Sequence, residues 1–258
     1  MLDDLAGRVA LVTGGATGIG GAISRAFGRA GMKVAVHYLN GEAEAKEVAA
    51  AIRAGGGEAL LLHRDITQPG AAEALVAETV RHFGRLDVLV NNAGGLVARK
   101  VLAELDDAFY DRVMDLNVRS LVHCCQAGAA AMRRNPPGSG GGSIVNVSSI
   151  SARTGGSPGS SVYSSAKAFV STFSRSLARE LAPDRIRVNA LSPGTIDTAF
   201  HQRHSTPDKL EATRKGIPMA RLGTAEDCAG TALYLASEAM SGYVTGQVIE
   251  VNGGQLMA

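Results

Sequence analysis

Seven short apolar runs recur along the chain with helix-length stretches between most of them, and this rhythm constrains the fold more than any other feature. The runs are RVALVT (8–13), KVAVHY (33–38), EALLLH (58–63), LDVLVN (86–91), SIVNVS (143–148), IRVNAL (186–191) and QVIEVN (247–252). Each is short, rich in aliphatic residues and continuous rather than alternating, the pattern of a strand buried on both faces. The stretches between them, such as GAISRAFGRAG and AAEALVAETVRHFG, place apolar residues three or four apart, as a helix with one buried face requires. Strand–helix alternation of this kind predicts an α/β fold. The parallel sheet carries helices on both faces, and right-handed crossovers make it doubly wound.

No linker and no repeat interrupts the rhythm, so residues 1–258 form a single domain. Two segments depart from it. NPPGSGGG (135–142) is a Pro/Gly-rich surface loop. The polar stretch 195–222 is longer than a simple connection and is expected to be a substrate-binding loop. A formal net charge of +2 with no long basic run argues against a nucleic-acid partner. The start, MLDDLAGR, lacks the apolar centre of a signal peptide, and no apolar run reaches bilayer length. Cys124, Cys125 and Cys228 make neither a disulfide framework nor a metal-ligand spacing. The expectation is a soluble cytoplasmic protein with reduced thiols, no metal, and neither membrane nor nucleic acid as partner.

After the first run comes TGGATGIG (13–20), which puts Gly14, Gly18 and Gly20 at a strand-to-helix turn. A dinucleotide pyrophosphate needs close backbone approach and helix N–H groups aimed at it, and side chains there would block both. Further on, SSVYSSAK (160–167) places Tyr163 and Lys167 four apart, on one face of a helix. A free tyrosine has a pKa of about 10. A neighbouring ammonium favours the phenolate, so Tyr163 is expected to titrate well below that value and to serve as an acid or base.

Taken in order, Thr13-Gly14-x-x-x-Gly18-x-Gly20, Asn91-Asn92-Ala93-Gly94, Tyr163-x-x-x-Lys167 and Pro193-Gly194 resemble the classical short-chain dehydrogenase/reductase family over nearly the whole chain. The resemblance implies a Rossmann-type, seven-stranded sheet and an NAD(P)-dependent enzyme that interconverts a carbonyl and a secondary alcohol. It implies a catalytic set of Asn117, Ser149, Tyr163 and Lys167. Ser149 would hold the substrate oxygen, with Ser148 or Ser151 as alternatives, and Asn117 would support a proton relay through water. For the cofactor it implies Thr13, Gly14, Thr17, Gly18, Ile19 and Gly20 in the glycine turn, and Tyr38, Leu39 and Asn40 at the end of the second strand. Asp65 and Ile66 follow the third strand, and Asn91, Ala93 and Gly94 the fourth. Pro193, Gly194, Ile196 and Thr198 would lie against the nicotinamide, and Tyr163 and Lys167 contribute as well.

The position where an acid would exclude NADP is occupied by Tyr38. No arginine stands there either, and Thr17 replaces the basic residue of some NADP-preferring relatives. With His37 and Asn40 able to hydrogen-bond a phosphate, the sequence leans to NADP(H) over NAD(H). Arg153 near the triad and His201, Arg203 and His204 in the 195–222 segment suggest a small polar substrate such as a sugar, polyol or sugar acid. One alternative is a 3-oxoacyl-thioester reductase that docks an acidic carrier protein on Arg133-Arg134. Another, of a different class, is a non-catalytic dinucleotide-binding sensor or scaffold. The apolar stripe Phe169, Val170, Phe173, Leu177, Leu181 and the C-terminal YVTGQVIEVNGG point to self-association, by resemblance a homotetramer.

Overall fold

The computed structural model describes residues 2–136, 141–198 and 206–257. Its strands are β1 (Val9–Thr13), β2 (Lys33–Tyr38), β3 (Glu58–His63), β4 (Val88–Asn91), β5 (Gly142–Val147), β6 (Ile186–Pro193) and β7 (Val248–Val251). They form one seven-stranded sheet in the order β3-β2-β1-β4-β5-β6-β7. Every pairing is parallel, as the continuous apolar runs predict. The order reverses between β1 and β4, and in such sheets a crevice opens there, at the carboxyl ends of the strands.

The helices that matter for the site are α1 (Gly18–Arg29), α2 (Glu42–Ala54), α3 (Ala71–Phe83), α4 (Asp107–Met114), α5 (Ser120–Met132), the short α6 (Ser151–Thr154) and α7 (Ser161–Leu181). Helices Pro207–Gly216 and Ala225–Ala236 lie between β6 and β7. Successive strand side chains point to opposite faces, so each strand feeds two cores. Ala10, Val12, Val34, Val36, Val88 and Val90 pack with α1, α2 and helix Ala225–Ala236 through Ile23, Phe27, Ile52 and Leu235. Leu11, Ala35 and Leu89 pack with α3, α5 and α7 through Leu75, Leu121, Val170 and Leu181. Phe27 is fully buried, and its truncation to alanine should cost about 3–5 kcal/mol.

Two boundaries differ from the sequence reading. The LDVLVN run is a regular strand over Val88–Asn91. Asp87 just before it still bonds to both neighbours, its N–H donating to the Val9 carbonyl and its carbonyl accepting from Ser143 N–H (both 2.9 Å), while its side chain is a buried carboxylate. Its Oδ2 accepts from Val9 N–H at 2.9 Å, and Arg8 and Arg85 flank it. The 195–222 segment is not a plain loop. Its stem is pinned by an Ile196–Gly223 bridge, and Pro207–Gly216 is helical, with Pro207 in the first turn and Thr206 accepting from Lys209 N–H. A proline there loses no helical hydrogen bond. Part of the 135–142 loop, residues 137–140, lies outside the described residues. No helix among the described residues is long and apolar enough to cross a membrane.

Candidate active site

A cleft of about 1080 Å³ opens at the carboxyl ends of the strands. Its floor begins at the glycine turn between β1 and α1. Gly14 has φ +61°, and a Cβ there would come within 3.0 Å of Asn92 Nδ2 and 3.2 Å of Ala93 Cα. Thr17, the residue before α1, makes no side-chain cap. The leading N–H groups of the helix are therefore left without a side-chain acceptor, as anion binding requires.

His37 organises this turn. Gly14 N–H donates to its Nδ1 (3.1 Å), so its proton sits on Nε2, which donates to the Arg64 carbonyl (2.9 Å). Burial pushes its pKa down and keeps the ring neutral. Both nitrogens are committed to backbone, so His37 has no donor for a phosphate, contrary to the sequence reading. Its work is to lock the glycine turn to the end of β3. Asp65 accepts from Thr67 N–H (3.0 Å), Thr67 Oγ1 (2.7 Å) and Gln68 Nε2 (3.1 Å). The Thr67 hydrogen bonds hold its carboxyl below the usual range.

Strand alternation sorts the neighbouring polar pairs. Asn91 points inward, donating to Asn146 Oδ1 (2.9 Å) and towards Cys125 Sγ (3.2 Å), while Asn92 ties the Thr13 and Gly14 carbonyls (3.1 and 3.0 Å) and lines the cleft. The sequence reading had chosen Asn91. Ser148 is buried against α7, donating to the Lys167 carbonyl at 2.9 Å with Ser171 Oγ at 2.8 Å. Ser149 is half-buried at the cleft and hydrogen-bonded to Tyr163, and its hydroxyl also reaches Ser151 Oγ at 3.2 Å. Among the three candidate serines, geometry favours Ser149.

Lys167 is 4% exposed, and its Nζ donates to the Val147 carbonyl at 2.8 Å. It lies 5.8 Å from the centre of the Tyr163 ring. Burial without a counter-charge pushes its pKa down to about 8. The same desolvation pushes Tyr163 up to about 12, against the opposing pull of the Ser149 hydrogen bond. The expectation that Tyr163 titrates well below a free tyrosine is therefore not met in this structure. The ammonium faces the ring and a carbonyl, and burial outweighs it at the phenol. Tyr163 is therefore held as a neutral phenol.

Asn117 sits behind the cleft, 1% exposed, in a π-helical turn, Asp115–Arg119, between α4 and α5. Its Nδ2 donates to the Val113 and Gly95 carbonyls (both 2.9 Å), and its Oδ1 accepts from Gly95 N–H (3.0 Å). Both amide hydrogens are thus committed, and the side chain clamps the Gly94–Gly95 backbone. A Cβ on Gly94 would lie 2.8 Å from Asn117 Oδ1 and 3.0 Å from Lys167 Nζ, so only glycine lets these groups come together.

Of the other expected residues, Gly14, Thr17, Gly18, Ile19, Tyr38, Leu39, Asn40, Asp65, Ile66, Ala93, Gly94, Pro193, Gly194, Ile196 and Thr198 all line the cleft. Thr198 reaches across to the glycine turn, its methyl 3.6 Å from where a Gly18 side chain would begin. Thr13 and Gly20 support the cleft without lining it. Thr13 Oγ1 accepts from Asn92 and Ala93 N–H, and Gly20 packs directly on the Gly14 carbonyl. Arg153 is exposed on α6 and does not line the cleft. His201, Arg203 and His204 lie outside the described residues. Arg112 and Glu44 were not singled out for the cleft by sequence reasoning but line it, as do Arg99 and, from the 195–222 segment, Lys209. They sit on helices or a turn whose approach to the cleft is set by packing. Arg133 pairs with Asp184 (2.7 Å) where α5 ends, and Met132 there packs on the first residue of β5. Arg133 thus lies at the amino ends of β5 and β6, the end of the strands opposite the cleft. Among the described residues no group of three His, Cys, Asp or Glu side chains is placed to hold a metal ion.

The cradle suits a dinucleotide: an uncapped helix N-terminus over a glycine turn, and a buried lysine with no anionic partner. A family profile described as enoyl-(acyl carrier protein) reductase matches residues 14–255. An uncharacterized oxidoreductase of Methylorubrum extorquens is 38% identical over 98% of this chain and 99% of its own length. A 3-oxoacyl-[acyl-carrier-protein] reductase of Synechocystis is 37% identical over 98% of both chains. Among solved structures, an NADH-dependent reductase, A1-R', complexed with NAD is 36% identical with a TM-score of 0.90 over 100% of both chains. In another structure the same reductase is described as responsible for alginate metabolism.

Proposed function

Because this chain belongs to the short-chain dehydrogenase/reductase family and is an NAD(P)-dependent oxidoreductase, we propose that it reduces a carbonyl on a small, polar, negatively charged substrate such as a sugar acid. The observation that carries the chemistry is the hydrogen-bonded Ser149–Tyr163 pair with Lys167 buried beneath it in the cleft. When bound, the dinucleotide supplies the hydride. Ser149 holds the substrate oxygen, and Tyr163, a neutral phenol, gives it the proton. The Lys167 cation lies under the ring, where it stabilises negative charge on the phenol oxygen after the proton has left. Asn117 keeps Gly94–Gly95 packed against Lys167. In the reverse direction the same groups take the proton back.

The substrate reading rests on the cations at this end of the cleft. Arg99 and Lys209 both line it and lie close enough for the Arg99 charge to contribute to lowering the Lys209 pKa, after burial. A carboxylate placed between them would relieve that repulsion. A carrier-protein substrate gains no support from Arg133-Arg134, which lie towards the amino ends of the strands, away from the cleft. The alternative of an idle sensor is disfavoured because the acid, the oxygen anchor and the lysine all converge.

Nicotinamide absorbance followed over a panel of sugar acids, neutral sugars, polyols and 3-oxoacyl thioesters tests this reading. Turnover is expected on oxo-acids of sugar size. Turnover confined to 3-oxoacyl thioesters would overturn it. Self-association, with a tetramer as the expected form, is supported by the second apolar stripe of α7. There Phe169 stacks on Phe173 (5.3 Å between ring centres) yet remains 39% exposed. Light scattering that finds a monomer would remove that part.

A further inference from the structure

Nucleotide choice is set where β2 ends, because the adenosine ribose lies beside that strand end while the pyrophosphate lies at the start of α1. The strand end here is uncharged: Tyr38, Leu39 and Asn40. The chain then passes through Gly41 at φ +82°, the residue preceding α2. This left-handed glycine lets α2 begin at once and turns its first-turn side chains back toward the cleft.

Glu44 lines the cleft as a result. Its Oε2 comes within 3.0 Å of the position a Gly41 side chain would occupy, and the methyl of Thr17 in the glycine turn lies 3.7 Å from that same position. The carboxylate therefore lies beside Gly41, at the place where the β2 end and the glycine turn come close. Among the described residues Glu44 has neither an ion pair nor a side-chain hydrogen bond. Ionisable groups on the neighbouring elements are committed elsewhere: Lys46 on α2 pairs with Glu42 at 2.7 Å, Arg64 after β3 pairs with Glu78 at 2.8 Å, and His37 on β2 is tied to backbone at both nitrogens. Thr17 brings no charge.

We propose that Glu44 sets the nucleotide preference, accepting a hydrogen bond from the ribose hydroxyls and repelling a 2′-phosphate, so that the enzyme selects NAD(H). This reverses the lean to NADP(H) drawn from Tyr38, and it rests on the dinucleotide reading of the cleft. The acid that excludes NADP has moved from the strand end to the first turn of the following helix.

Calorimetric titration with NAD+, NADP+, ADP and adenosine 2′,5′-bisphosphate tests this without turnover. The wild-type protein is expected to bind NAD+ about tenfold or more tighter than NADP+, with ADP and the bisphosphate in the same order. Glu44→Gln is expected to close that ratio about tenfold, mostly by tighter binding of the 2′-phosphorylated ligands. Glu47→Gln, an exposed acid on α2 outside the cleft, should leave the ratio unchanged. Equal wild-type affinities, or a ratio unmoved in Glu44→Gln, would overturn the inference while leaving the reductase reading intact. Failure of both dinucleotides to bind would overturn the two together.

Discussion

The two ends of the cleft carry opposite charge. At the nucleotide end the lining ionisable side chains are Glu44 and Asp65, with His37 held neutral. At the reaction end they are Lys167, Arg99, Arg112 and Lys209, against Asp115, which is paired with Arg119. On the proposed readings, one end would discriminate by rejecting a charge on a ligand that otherwise fits, and the other would attract charge, both on the substrate and on the oxygen where charge develops. Buried and exposed cations divide the second task. Lys167 is desolvated beneath the Tyr163 ring, where negative charge developing on the phenol oxygen would interact with it more strongly than in water. Arg99, Arg112 and Lys209 line the cleft nearer to water, which would weaken any attraction they exert.

The largest effect that would sharpen this contrast is at the phenol. Tyr163→Phe should lower turnover about a thousandfold, with dinucleotide affinity, measured by calorimetry, within about threefold of wild type. Activity retained in that variant would remove the proton-donor role. The adjacent serines separate next. Ser149→Ala should cost about a hundredfold in turnover. Ser148→Ala should leave turnover near wild type and lower stability by about 1 kcal/mol in urea titration, the cost of a buried hydrogen bond.

The pH profile comes third. Lys167 has its pKa lowered to about 8, so it is a cation below that pH and loses its proton as pH rises through it. Reduction should therefore fall above pH 8, by about tenfold for each further unit. A flat profile to pH 10 would show that the ammonium is not needed. Smallest are the mouth cations. Arg99→Ala and Lys209→Ala should each raise KM for a carboxylate substrate about fivefold while barely changing KM for a neutral one. Equal effects on both substrates would make these residues structural. Together with the Glu44→Gln titration, these measurements test each end of the cleft separately.

Much of the site was legible because its residues lie in a fixed order at strand ends. The glycine turn, Ser149, Tyr163 and Lys167 are each tied to a strand end or a helical spacing that periodicity reveals. What was not legible depended on which way a side chain faces. Asn91 and Asn92 are adjacent and chemically identical, and only pairing in the sheet shows that Asn92 faces the cleft. His37 looked like a phosphate donor until the Gly14 N–H and the Arg64 carbonyl were found on its ring nitrogens. Glu44 carried no signal in the sequence, because the left-handed turn at Gly41 just before its helix is a backbone conformation.

By itself the sequence determined the sheet, its parallel sense, the glycine turn at the cleft and the pairing of a phenol with an ammonium. These follow from periodicities of two and 3.6 residues and from spacings within single elements. Only the tertiary structure decided how strongly Tyr163 and Lys167 hold their protons. Burial is a sum over neighbours from β5, α7 and the turn after β4, and here it outweighs the attraction that four-residue spacing promised. The same holds for charge: the chain is nearly neutral overall, and folding alone separates an acidic end of the cleft from a basic one.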